Sequence, residues 1–346
     1  MISKNVQLPR EVQIGPNIIN SIGKLLNDLR FHEDVLIVSG DTTFKVAGKQ
    51  VLETLEDENF NVDFVKVSDA TEENVDKVKE EINNSIVLAI GGGKVIDVAK
   101  LASTQAKTYF ISIPTILSHD GVLSPLASIK NQTGSISVKA QSPIAVVADT
   151  EIISKAPYRF LASGCGDVIS NYTAVLDWKL AKKLQNEFYS ESAATLTELT
   201  ANMITSNAEE IKKGHERSVR LVAKTIFSTG VAISIANSSR PASGSEHLFS
   251  HALDKICEKP ALHGEQCGVG TIMMMNLHGG DWEFIKNSLE TVKAPTTAKE
   301  LKIKEEDIIT ALTIAHTIRD RYTILGDRGL SREAAEELAS STGVIN

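Results

Sequence analysis

The chain has 346 residues with a formal net charge of −8, and 42% of them are hydrophobic. That length allows about two domains with a core each, and the interspersed charges exclude the basic stripe that a nucleic-acid backbone needs, so no DNA or RNA partner is expected. Three cysteines without a CxxC pair exclude both a fully paired disulfide framework and a cysteine-rich structural zinc site. The opening stretch lacks a hydrophobic signal core, and no apolar run approaches the roughly 20 residues of a membrane span, so a cytoplasmic protein is expected.

Through the first half, short β-branched runs alternate with helix-compatible sequence. Val35–Val38 predicts a buried strand, Val62–Val67 a second, Ser85–Ile90 a third and Tyr109–Ile113 a fourth, the pattern of a parallel sheet. The charged stretch from about Glu72 to Asn83 predicts a helix with a solvated outer face. SPLASI and SISVKA flank Asn131-Gln132-Thr133-Gly134 and predict a β-hairpin within Ser124 to Ala140, after which Ala145–Asp149 is the last strand signal. Beyond about residue 155 amphipathic helical stretches take over. The expected fold is therefore an α/β dinucleotide-binding domain over 1–155, Rossmann-like with a parallel sheet, followed by an all-helical C-terminal domain over 156–346 that binds metal and substrate.

The third strand runs directly into Gly91-Gly92-Gly93-Lys94-Val95-Ile96-Asp97. Glycines between a strand and a helix let backbone N–H groups close on an anion where the helix dipole also favours negative charge, and a pyrophosphate fits. The run is neither GxGxxG nor a Walker A loop, so kinase or ATPase chemistry is not supported. A second dense segment lies between Gly244 and Gly270, which holds three of the eight histidines, His247, His251 and His263. His247 and His251 share a helical face, whereas His263 follows a break at Pro260. Leu248 stands where a zinc peptidase carries the glutamate of HExxH. Asp167, in Ser163-Gly164-Cys165-Gly166-Asp167, adds a carboxylate flanked by glycines. Two of these imidazoles plus that carboxylate form a mixed N/O set that suits Zn²⁺ and leaves a position open for catalysis.

GGGKVID, SIPTILSHDG, GCGDVISN, RPASGSEHLFSHAL and LHGEQCGVG occur in the order and spacing of the superfamily of glycerol dehydrogenases, iron-type alcohol dehydrogenases and 3-dehydroquinate synthases. Within it the chain resembles the archaeal-type sn-glycerol-1-phosphate dehydrogenases, as does Ile318-Arg319-Asp320-Arg321-Tyr322-Thr323-Ile324-Leu325. The resemblance implies a dehydroquinate synthase-like fold and a zinc-dependent, NAD(H)- or NADP(H)-linked reduction of dihydroxyacetone phosphate to sn-glycerol 1-phosphate, for ether phospholipid backbones. It implies zinc ligands Asp167, His247 and His263. His251 would contact substrate and relay a proton, Asp120 would orient the substrate hydroxyl, and Asp167 would touch substrate as well as zinc. Gly93, Lys94, Val95, Ile96 and Asp97 would hold the dinucleotide phosphates, and Thr115, Ile116, Leu117, Ser118 and Ser124 would line the nicotinamide. Gly40, after Ser39 and before Asp41, stands where some NAD-preferring relatives carry aspartate. Arg240 is the one residue suggested for the substrate phosphate.

Other residues are read more plainly. His119 is expected to cap backbone groups, and His32, His215, His278 and His316 to be surface or satisfied histidines. Met273–Met275 is expected to be helix core, and Cys165 and Cys267 packing. A homo-oligomer acting on a small molecule is expected. The rival readings are a glycerol dehydrogenase acting on unphosphorylated polyols, a 3-dehydroquinate synthase-like lyase, which typically carries glutamate where Asp167 stands, and a non-catalytic zinc- or nucleotide-binding protein.

Overall fold

In the computed structural model, which describes residues 6–32, 34–131 and 134–346, the apolar runs of the first half become the middle of a sheet. The strands are β1 (Glu11–Gly15), β2 (Val35–Ser39), β3 (Val62–Lys66), β4 (Ile86–Gly91), β5 (Phe110–Pro114), β6 (Leu126–Asn131), β7 (Gly134–Lys139) and β8 (Ala145–Asp149). Six of them form one parallel sheet in the order β1-β8-β5-β4-β2-β3. β2, β4, β5 and β8 are buried along their whole length, as strands covered by helices on both faces must be. On one face Ile37, Leu88, Ile90 and Ile113 pack with Leu25, Leu26, Val51 and Leu55. Each such side chain contributes about 1.5–3 kcal/mol on burial. β1 was not predicted. It is an edge strand with β8 as its one neighbour and is only half-buried, so it never needed the apolar run that betrays a central strand.

The strand order leaves one place suited to a ligand. From β2 the chain moves outward to β3 and then returns to β4 on the other side of β2. The crossovers diverge between the carboxyl ends of β2 and β4, and such a switch point leaves a crevice in open parallel sheets. Ser39-Gly40 ends one wall and Gly91-Gly92 the other. The predicted hairpin is β6 paired antiparallel with β7, from Leu126↔Lys139 to Asn131↔Gly134; its turn residues, Gln132 and Thr133, lie outside the described residues.

Two compact units are present. One takes in the described residues up to Leu117 with Gly121–Tyr158 and His215–Ser234, and the other comprises Ser118–Asp120, Arg159–Gly214 and Ile235–Asn346. The second unit contains helices and no strand among the described residues. Among the described residues, the helix Glu216–Ala236 is the one place where an apolar stretch reaches membrane-spanning length, contrary to the expectation that no apolar run approaches it; 67% of that window is buried within the fold, so its apolar residues serve as core.

Candidate metal and cofactor sites

The ligands of the second unit are brought together by backbone contact at glycine. The helix Tyr158–Ile169 carries Asp167, and the helix His263–Leu277 begins at His263. A Cβ on Gly166 would lie 2.4 Å from the carbonyl oxygen of Gly264, and a Cβ on Gly264 would lie 2.0 Å from that of Ser163. No side chain fits between the two helices there. Ser245–Ile256, the helix of His247 and His251, meets the His263 helix at Gly270, whose Cβ would sit 3.1 Å from the carbonyl oxygen of Glu246. The turn into His263 is held by Glu265, which accepts from the Leu262 amide at 3.0 Å and takes Arg159 in a two-pronged pair at 2.6 Å.

Asp167 Oδ1 stands 3.7 Å from Nε2 of both His247 and His263. It is buried and without a hydrogen-bond partner, whereas Oδ2 accepts from the Asp120 amide at 2.8 Å. The other nitrogens of the two rings are engaged: His247 Nδ1 is 2.9 Å from Glu246 Oε1, and His263 Nδ1 is 3.0 Å from Ser250 Oγ. Such partners fix the tautomer that offers Nε2 to a metal. Glu246 is itself held by the Gly244 amide and the Thr173 hydroxyl. Burial, and then the negative charge of Asp120, push Asp167 well above the usual carboxylate range. A buried carboxylate with a free oxygen facing two imidazole lone pairs gains by taking up a cation. Asp167, His247 and His263 therefore fit the implied ion.

Neighbouring groups sharpen the picture. Cys267 Sγ also belongs to this cluster of possible ligands, 3.6 Å from His263 Nε2, although the thiol was expected only to pack. His251 stacks at 5.5 Å from the His263 ring and its Nε2 lies 2.9 Å from Arg319 Nη2. His119 approaches His263 edge-on with ring centroids 6.4 Å apart. His278 is a satisfied histidine on Asp177, and Met273–Met275 are buried, both as expected. Arg240 is committed elsewhere, to the Glu187 carboxylate and the Tyr322 carbonyl.

The electrostatics predict a pH effect. His247 is pushed well below the ordinary imidazole range by burial first and then by His251 and Arg319, and His263 by burial and then its histidine neighbours. In the unfolded chain both rings take up protons near about 6.5, and in the folded chain they resist. The histidines' contribution to the stability of the metal-free protein is therefore full above that value and is lost as pH falls toward the depressed ones, opposed in part by Asp167, whose raised carboxyl favours the folded state as pH falls. Melting curves should show Tm falling from pH 7.5 to 5, less steeply in a His247→Gln/His263→Gln double variant; equal slopes would refute the assignment.

In the first unit, Gly92 caps the helix Gly93–Ala106 with extended backbone. Its Cβ would meet Ile116 Cδ1 at 2.8 Å, and that of Gly91 would meet Val95 at 2.8 Å. These glycines serve close approach, and the first-turn amides that follow, which lack intrahelical acceptors, can face an anion. Lys94 is exposed and paired with Asp69 at 3.0 Å. Asp97 is buried, 3.1 Å from both Lys100 Nζ and the Ser128 amide. Lys100, fully buried, donates also to the carbonyls of Gly121 and Leu126. Asp97 thus anchors the strand β6 side of the turn rather than standing free. Thr115 donates its amide to Gly91 at 3.0 Å, and Leu117 and Ser124 are buried in the same unit. Ser118 belongs to the second unit, where its carbonyl accepts from Ser163.

Comparison with known proteins gives the family and the fold. A family model described as iron-containing alcohol dehydrogenase covers residues 13–157. A glycerol-1-phosphate dehydrogenase [NAD(P)+] from Methanothermobacter thermautotrophicus is 59% identical over 347 residues, spanning 100% of both chains. The chain belongs to the glycerol-1-phosphate dehydrogenase family. Solved structures share its fold at lower identity. A glycerol dehydrogenase from Schizosaccharomyces pombe superposes with TM-score 0.81 at 16% identity, over 98% of this chain and 90% of that one. A sulfoacetaldehyde reductase from Bifidobacterium kashiwanohense in complex with NAD⁺ gives TM-score 0.76 at 14% identity over 100% of both. Glu246, whose carboxylate meets His247 Nδ1, was not among the expected residues: it neighbours His247 directly, and adjacent residues on a helix ordinarily face apart.

Proposed function

We propose that this chain interconverts dihydroxyacetone phosphate and sn-glycerol 1-phosphate with NAD(H) or NADP(H), supplying the backbone for ether phospholipids. The observation that carries it is the convergence of Asp167 Oδ1 with the Nε2 atoms of His247 and His263 in a chain 59% identical throughout to a glycerol-1-phosphate dehydrogenase. That identity does not favour an unphosphorylated-polyol dehydrogenase or a synthase. The reading carries with it a cytoplasmic homo-oligomer and a division of labour near residue 155, cofactor groups before it and metal ligands after.

Asp167, His247 and His263 would hold zinc. When bound, the metal supplies Lewis-acid polarisation of a carbonyl oxygen and the nicotinamide supplies the hydride. The rest is the work of side chains. Glu246 keeps the His247 proton on Nδ1, and the Asp120 amide keeps Asp167 turned so that Oδ1 faces the imidazoles. Asp120 would orient a substrate hydroxyl with its own carboxylate. His251 has Arg319 2.9 Å from Nε2, while its buried Nδ1 has no hydrogen-bond partner among the described residues and Asp254 Oδ2 lies 3.8 Å from it; a ring with one nitrogen engaged and the other free suits the passing of a proton. Burial first, and then the neighbouring guanidinium, keep it neutral near pH 7, so it accepts the hydroxyl proton in the direction of alcohol oxidation.

For cofactor choice, Gly40 leaves the end of β2 without the acidic group that would repel a 2′-phosphate, and the nearby Asp41 is paired with Lys66. Initial rates should show both NADH and NADPH in use, with a preference under about a hundredfold, or roughly 3 kcal/mol. A much larger preference would point to Asp41 as discriminating. The function itself is tested by cofactor oxidation against a panel of ketones: dihydroxyacetone phosphate should exceed dihydroxyacetone by at least about tenfold in kcat/KM, about 1.4 kcal/mol of differential transition-state binding, and equal turnover would defeat the reading.

A further inference from the structure

Among the described residues, four arginines lie on a carboxylate: Arg159 on Glu265, Arg220 on Glu216, Arg240 on Glu187 and Arg332 on Glu306. Arg319 and Arg321 do not. Among the described residues, Arg319 makes one side-chain contact, Nη2 to His251 Nε2 at 2.9 Å, and Arg321 donates to the Ser243 carbonyl and to Ser239 Oγ. None of these partners carries a negative charge. Both guanidinia are largely withdrawn from water, which pushes Arg319 down from its ordinary range, and pushes Arg321 down to about 10 with repulsion from Arg240 and Arg319 adding to the effect. Arg321 has the carboxylates of Glu187 and Glu246 to offset part of that cost, whereas burial of Arg319 is offset by no such charge among the described residues, and a cation brought out of water in that way is costly unless an anion joins it.

Their position says which part of a ligand that anion would be. Arg319 touches His251, whose ring lies 5.5 Å from that of His263 and 6.5 Å from that of His247. One imidazole thus separates the guanidinium from two of the three residues that would hold the metal. In the substrate proposed above, a CH₂–O bridge separates the phosphorus from the carbonyl carbon. Resting on that reading, we propose that Arg319 binds the phosphate of the ketone and makes the site prefer a phosphorylated substrate, while Arg321 anchors the Ser239–Ser243 turn and adds positive field. A planar guanidinium can meet two phosphate oxygens at once, a match that neither lysine nor a neutral side chain reproduces. Arg319 keeps its Nη2 contact with His251, so the residue that grips the phosphate also bears on the ring proposed to move the proton.

The test compares wild type, Arg319→Met and Arg319→Lys, all loaded with zinc and with metal content measured. Three readouts are taken: kcat/KM for dihydroxyacetone phosphate, kcat/KM for dihydroxyacetone, and competitive inhibition by inorganic phosphate. In Arg319→Met the ratio of kcat/KM for the phosphorylated ketone to that for the unphosphorylated one should fall by about thirtyfold or more, beyond whatever loss both ketones share through His251, and phosphate inhibition should be lost. Arg319→Lys should keep part of each. A similar loss on both ketones, or phosphate inhibition that persists in Arg319→Met, would overturn the proposal and leave Arg319 a support for His251. If wild type itself does not favour the phosphorylated ketone, it is the proposed function that fails, and the two failures are told apart by the wild-type arm alone.

Discussion

Replacing His263 with alanine is expected to remove the metal and the activity together. His263 Nε2 faces Asp167 Oδ1 across 3.7 Å, and its ring is held from behind by Ser250. Without it the ligand set keeps one imidazole and one carboxylate, and the remaining neighbour, the Cys267 thiol, is held in its neutral form by burial, which leaves too few donors for an ion that ordinarily takes three protein ligands in a catalytic site. Metal content should fall to background after dialysis, and kcat should drop by roughly a thousandfold or more, the scale on which a Lewis acid contributes. His251→Ala should behave differently, retaining the ion and losing turnover. Full zinc occupancy in His263→Ala would end the assignment of ligands.

The second large effect comes from a residue that touches neither metal nor substrate. In Gly264→Ala the new Cβ would stand 2.0 Å from the Ser163 carbonyl oxygen and 2.7 Å from its carbon. Both obstacles are backbone, so the two helices have to part, and Asp167 leaves with one of them. The strain should cost about 1–3 kcal/mol or more and weaken metal binding by about tenfold or more, as displacement of supporting groups does. Gly268→Ala is the control, since its Cβ would meet the flexible end of Leu289 at 3.0 Å, and the loss there should be milder. Tm and metal affinity unchanged in Gly264→Ala would show that close approach of the helices does not set the site.

Legibility in the sequence followed burial. β2, β4, β5 and β8 are covered on both faces and spell continuous apolar runs, whereas β1 lies at an edge and spells nothing. The helix Glu216–Ala236 shows the reverse case, an apolar stretch unremarked because scattered polar residues break it up in sequence while the fold buries most of it. The candidate metal ligands were legible as residue types, since histidines dense beside glycine and an aspartate preceded by glycines suit a cation. Their supports were not. Asp177 accepts from the Ser245 amide across 68 residues of chain, and Glu246 sits next to the ring it orients. Asp97, one of the residues implied for the dinucleotide phosphates, spends its carboxylate on Lys100 and the Ser128 amide, a pairing that no local spacing displays. The isolation of Arg319 is likewise a property of packing: sequence shows which charges exist, and only the fold shows which of them remain without an opposite.

The account stands most directly on the product. Hydride can reach a planar ketone from either side, and the side is selected when carbonyl oxygen, transferring carbon and phosphate are each held at a separate place. Dihydroxyacetone phosphate should be incubated with the zinc-loaded enzyme and NADH, and the glycerol phosphate formed should be analysed for configuration. The account predicts sn-glycerol 1-phosphate; sn-glycerol 3-phosphate, or a racemic product, would contradict it.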